Sequence, residues 1–262
     1  MNLLRCLRFL VPILLLLWSF AGSAVAGGPF GTPQPVAKEG GGLHTGIGYW
    51  QQEDLWRADS LLETVRRHAY SEVGYSFSNN WEIYARLGIA DLKIADGFGS
   101  LTPSITVAKN DFEENTNYFG TMGVKVFHPF NRLLGWGVFV QGSYYFRDFA
   151  DEVTGSQSGV PFRVEQRVSD LWELDLGIAL QAVNRAGVKY YCGPFIYYSE
   201  AKVRASAAIA GIGLTTDAAV RNRAWGGGFV GVDVPLAKGF RLQIEGQYSS
   251  RLSAGTAVTY SY

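Results

Sequence analysis

The sequence predicts an all-β chain, a closed antiparallel up-and-down transmembrane β-barrel of about ten strands. Three observations predict it. The chain opens on an export-type leader, it repeats short period-two apolar segments along its length, and one face of each segment excludes charge although 18% of the 262 residues are charged.

Residues 1–26 form the leader. Arg5 and Arg8 stand among apolar residues, then "FLVPILLLLWSFAGSAVA" runs into small residues ending Ala24-Val25-Ala26. A charged start, a brief apolar middle and an Ala-x-Ala close are the pattern of a cleaved secretory signal, with the cut expected after Ala26. Cleavage removes Cys6 and leaves Cys192 alone, so no internal disulfide can staple the exported chain. Residues 27–42, "GGPFGTPQPVAKEGGG", are rich in Gly and Pro and read as a flexible periplasmic lead. The barrel is expected over residues 43–262.

Strands are expected near 43–50, 65–78, 81–91, 118–128, 135–147, 168–181, 188–199, 224–234, 240–248 and 254–262. Each approaches the ~9–11 residues that a tilted strand needs to cross a bilayer, and no segment after the leader is long and apolar enough to cross as a helix. "WELDLGIALQ" shows the logic. Trp172, Leu174, Leu176, Ile178 and Leu180 alternate with Glu173 and Asp175, so one face is oily and the other charged. The same outward column reads Trp81, Ile83, Ala85, Leu87 and Ile89 in the third strand, and Phe240, Leu242, Ile244, Gly246 and Tyr248 in the ninth. A lipid-facing Arg or Lys at mid-depth costs roughly 2–4 kcal/mol, and hydrocarbon therefore enforces the exclusion that water would not.

The opposite column is expected to line a lumen: Glu72, Arg86, Lys125, Glu173, Asp175, Lys189, Asp233, Arg241 and Glu245, with Glu82 and several tyrosines interleaved. A soluble β-sandwich would have to bury this charged set in its apolar interior. The near balance of inward acids and bases favours a salt-bridged filling over a charge-selective ring.

Connections alternate long and short: 51–64, 79–80, 92–117, 129–134, and later 200–223 and 235–239. Short turns belong to the periplasmic side and long loops to the outside, which places both termini in the periplasm. Aromatic girdles are expected at both interfaces. Trp81, Trp136, Tyr190 and Phe240 mark the periplasmic rim, and Tyr144, Trp172, Tyr198 and Tyr248 the outer one.

The leader, "GYSFSNNWEIYARLGIADLK" at 74–93, "YCGPFIYY" at 191–198 and the closing "AVTYSY" resemble the bacterial outer-membrane β-barrel domain family of small porin-like and opacity-like proteins. The resemblance covers the mature chain and rests on architecture. It implies the cell outer membrane as location, lipid and lipopolysaccharide as surroundings, and Val258, Tyr260 and Tyr262 as the C-terminal signal offered to the barrel-assembly machinery. Many members have eight strands, so eight is the alternative count. Members include adhesins, narrow pores and proteins of no known role.

No catalytic constellation emerges. His68 and Glu72 share the inward face but stand roughly 13 Å apart along a strand, beyond a direct hydrogen bond. Neither the His-Ser-acid set of outer-membrane lipid hydrolases nor the paired acids plus Asp-His of outer-membrane proteases falls in register. Asp91, Asp96, Asp111, Glu113 and Glu114, in or beside the 92–117 loop, are hard oxygen ligands of the kind calcium takes, but the reading preferred is a solvated acidic loop. With 23 basic and 23 acidic residues and no basic run, nucleic acid is not an expected partner. No enzyme activity, cofactor or metal site is expected. The function expected is a structural or surface-interaction barrel whose outer loops meet an extracellular ligand of unknown identity. The alternative is a narrow porin-like channel, with an outer-membrane lipid- or peptide-modifying enzyme third.

Overall fold

A computed structural model describes residues 28–36, 41–58, 61–98, 108–157, 160–209 and 212–262. Within them the chain forms twelve strands and no helix: β1 Gly42–Arg57, β2 Leu61–Ser76, β3 Trp81–Ile94, β4 Phe112–Pro129, β5 Leu134–Tyr145, β6 Phe149–Gln157, β7 Val160–Val183, β8 Lys189–Ile209, β9 Ile212–Asn222, β10 Gly226–Pro235, β11 Phe240–Tyr248 and β12 Leu252–Ser261. All pairings are antiparallel, and ten strands close a ring. The ring runs β1-β2-β3-β4-β5-β7-β8-β10-β11-β12 and returns to β1 through His44↔Ser261 to Gln51↔Ala254. It is an up-and-down barrel, and its ten strands are those expected from the period-two segments.

The two remaining strands correct the expected loops. β6 pairs with Val160–Val168 of β7, and β9 pairs with Glu200–Ile209 of β8, as two tall antiparallel pairs. β6 continues the column of β5, and β9 continues that of β10 down to Trp56↔Asn222 on β1. Likewise β1 and β2 pair from Gly42↔Ser76 up to Arg57↔Leu61, through most of what the spacing predicts as loop 51–64.

The reason is a change of outer solvent along each strand. In β8 the outward residues are Tyr190, Cys192, Pro194, Ile196 and Tyr198, then Glu200, Lys202 and Arg204. In β3 they are Trp81 to Ile89, then Asp91 and Lys93. Below the change the outside is oily, and above it charged. In β7 a bulge falls between Ser169 and Trp172, with Asp170 at φ 53°, and it shifts the alternation by one residue. Phe162, Val164 and Val168 point inward before the bulge with Arg163 and Arg167 outward; Trp172, Leu174 and Leu176 point outward after it. The barrel is thus inside-out where lipid surrounds it and ordinary where water does. From Trp81 to Ile89 the oily belt spans roughly 26 Å along a strand.

The girdle residues stand on the outward face. Trp81, Trp136, Tyr190 and Phe240 lie at one rim, and Tyr144, Trp172, Tyr198 and Tyr248 at the other, just below the first outward charges. Cys192 is also exposed on this face. The short turns after β2, β5's predecessor β4, β7 and β10 lie together at the first rim.

Candidate functional site: a filled lumen

Glu72, Arg86, Lys125, Glu173, Asp175, Lys189, Asp233 and Glu245 all face inward and are buried, and Arg241 is partly so. Strand register brings opposite charges side by side. Glu72 lies opposite Arg86 on β2 and β3, and Arg86 Nε donates to Glu72 Oε2 at 2.6 Å. Glu82 lies opposite Lys125 on β3 and β4, with Nζ to Oε1 at 3.0 Å. Arg241 donates to Asp233, and Arg66 donates to Glu173 from across the barrel. Tyr84 and Tyr191 each lie over the glycine opposite in register, Gly123 and Gly231, where a Cβ would strike the ring. Removing water from such charges is costly unless they are paired and hydrogen-bonded, as these four pairs are.

The lead segment supplies the rest of the filling. Residues 28–36 do not lie in the periplasm as the Gly/Pro composition predicts; they thread into the lumen, and Phe30 is 0% exposed. Its ring meets Phe229, Phe139 and Phe195 with centroids 4.9, 5.2 and 5.7 Å away. The Phe30 and Gly31 amides donate to the two oxygens of Glu245 at 2.9 and 2.8 Å. Gly28 O accepts from Gln141 and Gln247, and Pro29 O from Arg86. Thr32 and the Gln34 amide donate to Gln181, and the Val36 amide to Glu82. A strap without its own backbone partners thus has its polar groups met by lumen side chains. Composition marked the strap as irregular, which it is; the interior acids Glu245 and Glu82 were the available sign that something would enter.

Above the strap an apolar core closes the barrel. Trp50, Trp56, Leu92, Ile94, Phe98, Phe112, Phe149, Phe162, Val168 and Leu171 belong to one buried cluster contributed by the strands that rise beyond the belt. A small cavity of about 20 Å³ lies beside Gly28, and a wider recess of about 710 Å³ opens at the mouth beside Gln34, Val36, Lys189 and Arg241.

His68, four residues from Glu72, is held instead by Tyr145 across the barrel, with Nε2 and the hydroxyl 2.6 Å apart. Arg66 donates to the same hydroxyl at 3.1 Å. This is a buried polar network. His44 lies at the other end of the lumen, 3.2 Å from Glu72 Oε1, and His128 is exposed beside Trp136 and Phe130. Acids in or beside the 92–117 region are tied to side-chain cations: Asp91 pairs with Arg67, and Asp111 and Glu113 share Lys93. The Lys93 ammonium hydrogen-bonded to Asp111 holds that carboxyl below its ordinary range. Among the described residues no group of His, Cys, Asp and Glu is disposed to hold a metal. Tyr260 and Val258 lie on β12, Tyr260 opposite Thr45 and Phe240, and Tyr262 follows its end.

No protein-family model matches the chain, and no curated protein sequence does. Among solved structures it is similar to the translocator domain of autotransporter NalP from Neisseria meningitidis, at 12% identity over 84% of this chain and 88% of that one, TM-score 0.45. It is also similar to the outer membrane protease OmpT from Escherichia coli, at 12% identity over 85% and 95%, TM-score 0.40. A third is the toluene transporter TodX from Pseudomonas putida, at 11% identity over 86% and 89%, TM-score 0.36.

Proposed function

We propose that the chain is an integral barrel of the cell outer membrane whose lumen is sealed and whose role is structural or surface-interacting. The observation that carries this reading is the strap: Phe30 sits in an aromatic cage at the lumen's centre, beneath an apolar cap. Eight-stranded barrels are filled by their own side chains, and a ten-stranded one has somewhat more space. Here residues 28–36 take up that space, so the interior serves stability more than passage.

The parts left free to act are the strands above the belt. The β6–β7 and β8–β9 hairpins stand in water, and Leu214 is exposed on the second. They form the surface on which an extracellular ligand would be met, with lipid and lipopolysaccharide around the belt and Val258, Tyr260 and Tyr262 offered to the assembly machinery. Catalysis has no part in this reading: His44 and His68 are buried and bonded to Glu72 and Tyr145.

The test is single-channel current in a planar bilayer, on protein whose unheated form migrates as a compact barrel in detergent gels. A folded, silent barrel is the expected result. Stepwise, reproducible conductance would overturn the sealed reading in favour of the narrow channel.

A further inference from the structure

The rim of short turns carries a buried cation whose natural partner is spent elsewhere. Lys189 opens β8, is only 8% exposed, and lies opposite Asp233 of β10 in register. That carboxylate is already engaged: Oδ1 accepts from Arg241 Nε, and Oδ2 from Gln243 at 3.3 Å. Glu82 and Lys125 are the other charged neighbours of Lys189. Glu82 is held by Lys125 Nζ, at 3.0 Å, and by the Val36 amide, at 2.7 Å. Among the described residues no acid pairs with the Lys189 ammonium, so one carboxylate stands between two cations and answers only Arg241. A buried ammonium left so is costly, and it calls for an anion.

The place for one is open. The recess of about 710 Å³ at this mouth is lined by Gln34 and Val36 of the strap, by Lys189, and by Lys238, Phe240 and Arg241 of the β10–β11 turn and the strand after it. Its lining includes three cations and, among the described residues, no acid. Arg241 spends Nε on Asp233 and Nη2 on Gly187 O, at 3.1 Å, which leaves Nη1. Gln34 accepts from Gln181 at Oε1, which leaves its amide nitrogen to donate. Donors of three kinds around one space suit an oxyanion, whose several oxygens accept from an ammonium, a guanidinium and an amide together. A neutral or apolar ligand would leave Lys189 as it is. The recess lies on the side of the short turns, so a ligand reaches it without crossing the strap.

We propose that this recess is a binding site for a phosphate group, seated on the Lys189 ammonium and flanked by Arg241, Lys238 and the Gln34 amide. A phosphate at this rim has two sources, the free ion of the periplasm and the headgroup of a phospholipid beside the girdle residue Phe240. Both present the same oxygens to the same donors. The inference takes only the barrel's orientation from the proposed function; it is independent of whether the lumen conducts or the outer hairpins bind anything.

The experiment titrates inorganic phosphate into the folded barrel in dodecyl maltoside, a detergent without phosphate, by calorimetry at constant ionic strength in chloride. Lys189→Met keeps the side chain's length and removes its charge; Lys202→Met, on the outer hairpin beside Asp170, is the control. The expected result is saturable binding that Lys189→Met weakens by at least about tenfold, as loss of a charge-assisted contact does, and that Lys202→Met leaves unchanged. Absence of saturable heat, or equal affinity in wild type and Lys189→Met, would overturn the proposal. A second readout needs no variant: phosphate should slow acetylation of Lys189 by N-hydroxysuccinimidyl acetate while leaving Lys202 unaffected, and an unchanged Lys189 rate would also overturn it. If Lys189→Met does not fold, the acetylation rate decides alone. Repeating the titration in phosphatidylglycerol vesicles separates the sources. Free phosphate that still binds there marks a site for the ion, and binding abolished there while present in detergent marks the headgroup as occupant. Conductance tests the sealed lumen separately, so the two readings fail on different measurements.

Discussion

Substituting Leu176→Arg probes the belt at its middle. Leu176 is 40% exposed on the outward face of β7, between Val140 of β5 and Ile196 of β8, four residues from the girdle residue Trp172. An arginine there at mid-depth costs roughly 2–4 kcal/mol, or about 30- to 900-fold in the folding equilibrium. Glu165→Arg is the internal control, placed on the same strand but above the bulge, among the outward Arg163 and Arg167. It loses the exposed pair with Arg167, 3.0 Å, and should cost no more than about 1 kcal/mol, the worth of a surface ion pair. The assay is reversible urea unfolding from phospholipid vesicles, followed by tryptophan fluorescence. Equal costs for the two substitutions, or a larger one for Glu165→Arg, would refute the placement of lipid below the bulge and water above it.

Three further outcomes follow from the filled lumen and the belt. Phe30→Ala removes a ring packed by Phe139, Phe195 and Phe229 and should destabilise the strapped barrel by about 3–5 kcal/mol in the same urea assay. Glu245→Gln weakens two charge-assisted bonds to the Phe30 and Gly31 amides, each worth about 1.5–3 kcal/mol, and should raise the deuterium exchange rate of those amides more than that of any β2 amide. Cys192, outward within the belt between Leu180 and Val230, should resist a charged maleimide in vesicles and react after transfer to urea.

Much of the barrel was legible because lipid writes a strict rule. Trp81 through Ile89, or Trp172 through Leu180, alternate without a charge on the outward face, and the ten ring strands follow from that column. Glu72 and Arg86 sit opposite each other across the short β2–β3 turn, so that pairing was implicit in hairpin register, whereas Glu82 and Lys125 meet across the long β3–β4 connection. β6, β9 and the upper halves of β7 and β8 were hidden by the same rule. There Arg163, Arg167, Lys202 and Arg204 face water, and a search for charge-free columns passes over them. The bulge beside Asp170 hides β7 further, since it shifts the period by one.

The strap was the hardest part to read. Glycine and proline in residues 28–36 signal irregular backbone equally well for a solvated lead and for a chain laid through a pocket. What separates the two is the partner surface, Glu245, Gln181 and the ring of Phe139, Phe195 and Phe229, which comes from distant strands and exists only once the barrel has closed. Phe30, the one aromatic residue in the segment, was the local hint.

The most direct measurement is residue-resolved hydrogen exchange of the Phe30 and Gly31 amides in the folded, lipid-embedded protein. With both held on Glu245 inside the lumen, they should exchange as slowly as the amides of the paired strands around them. Exchange at the rate of an unstructured peptide would put residues 28–36 back in the periplasm and leave the lumen without its filling.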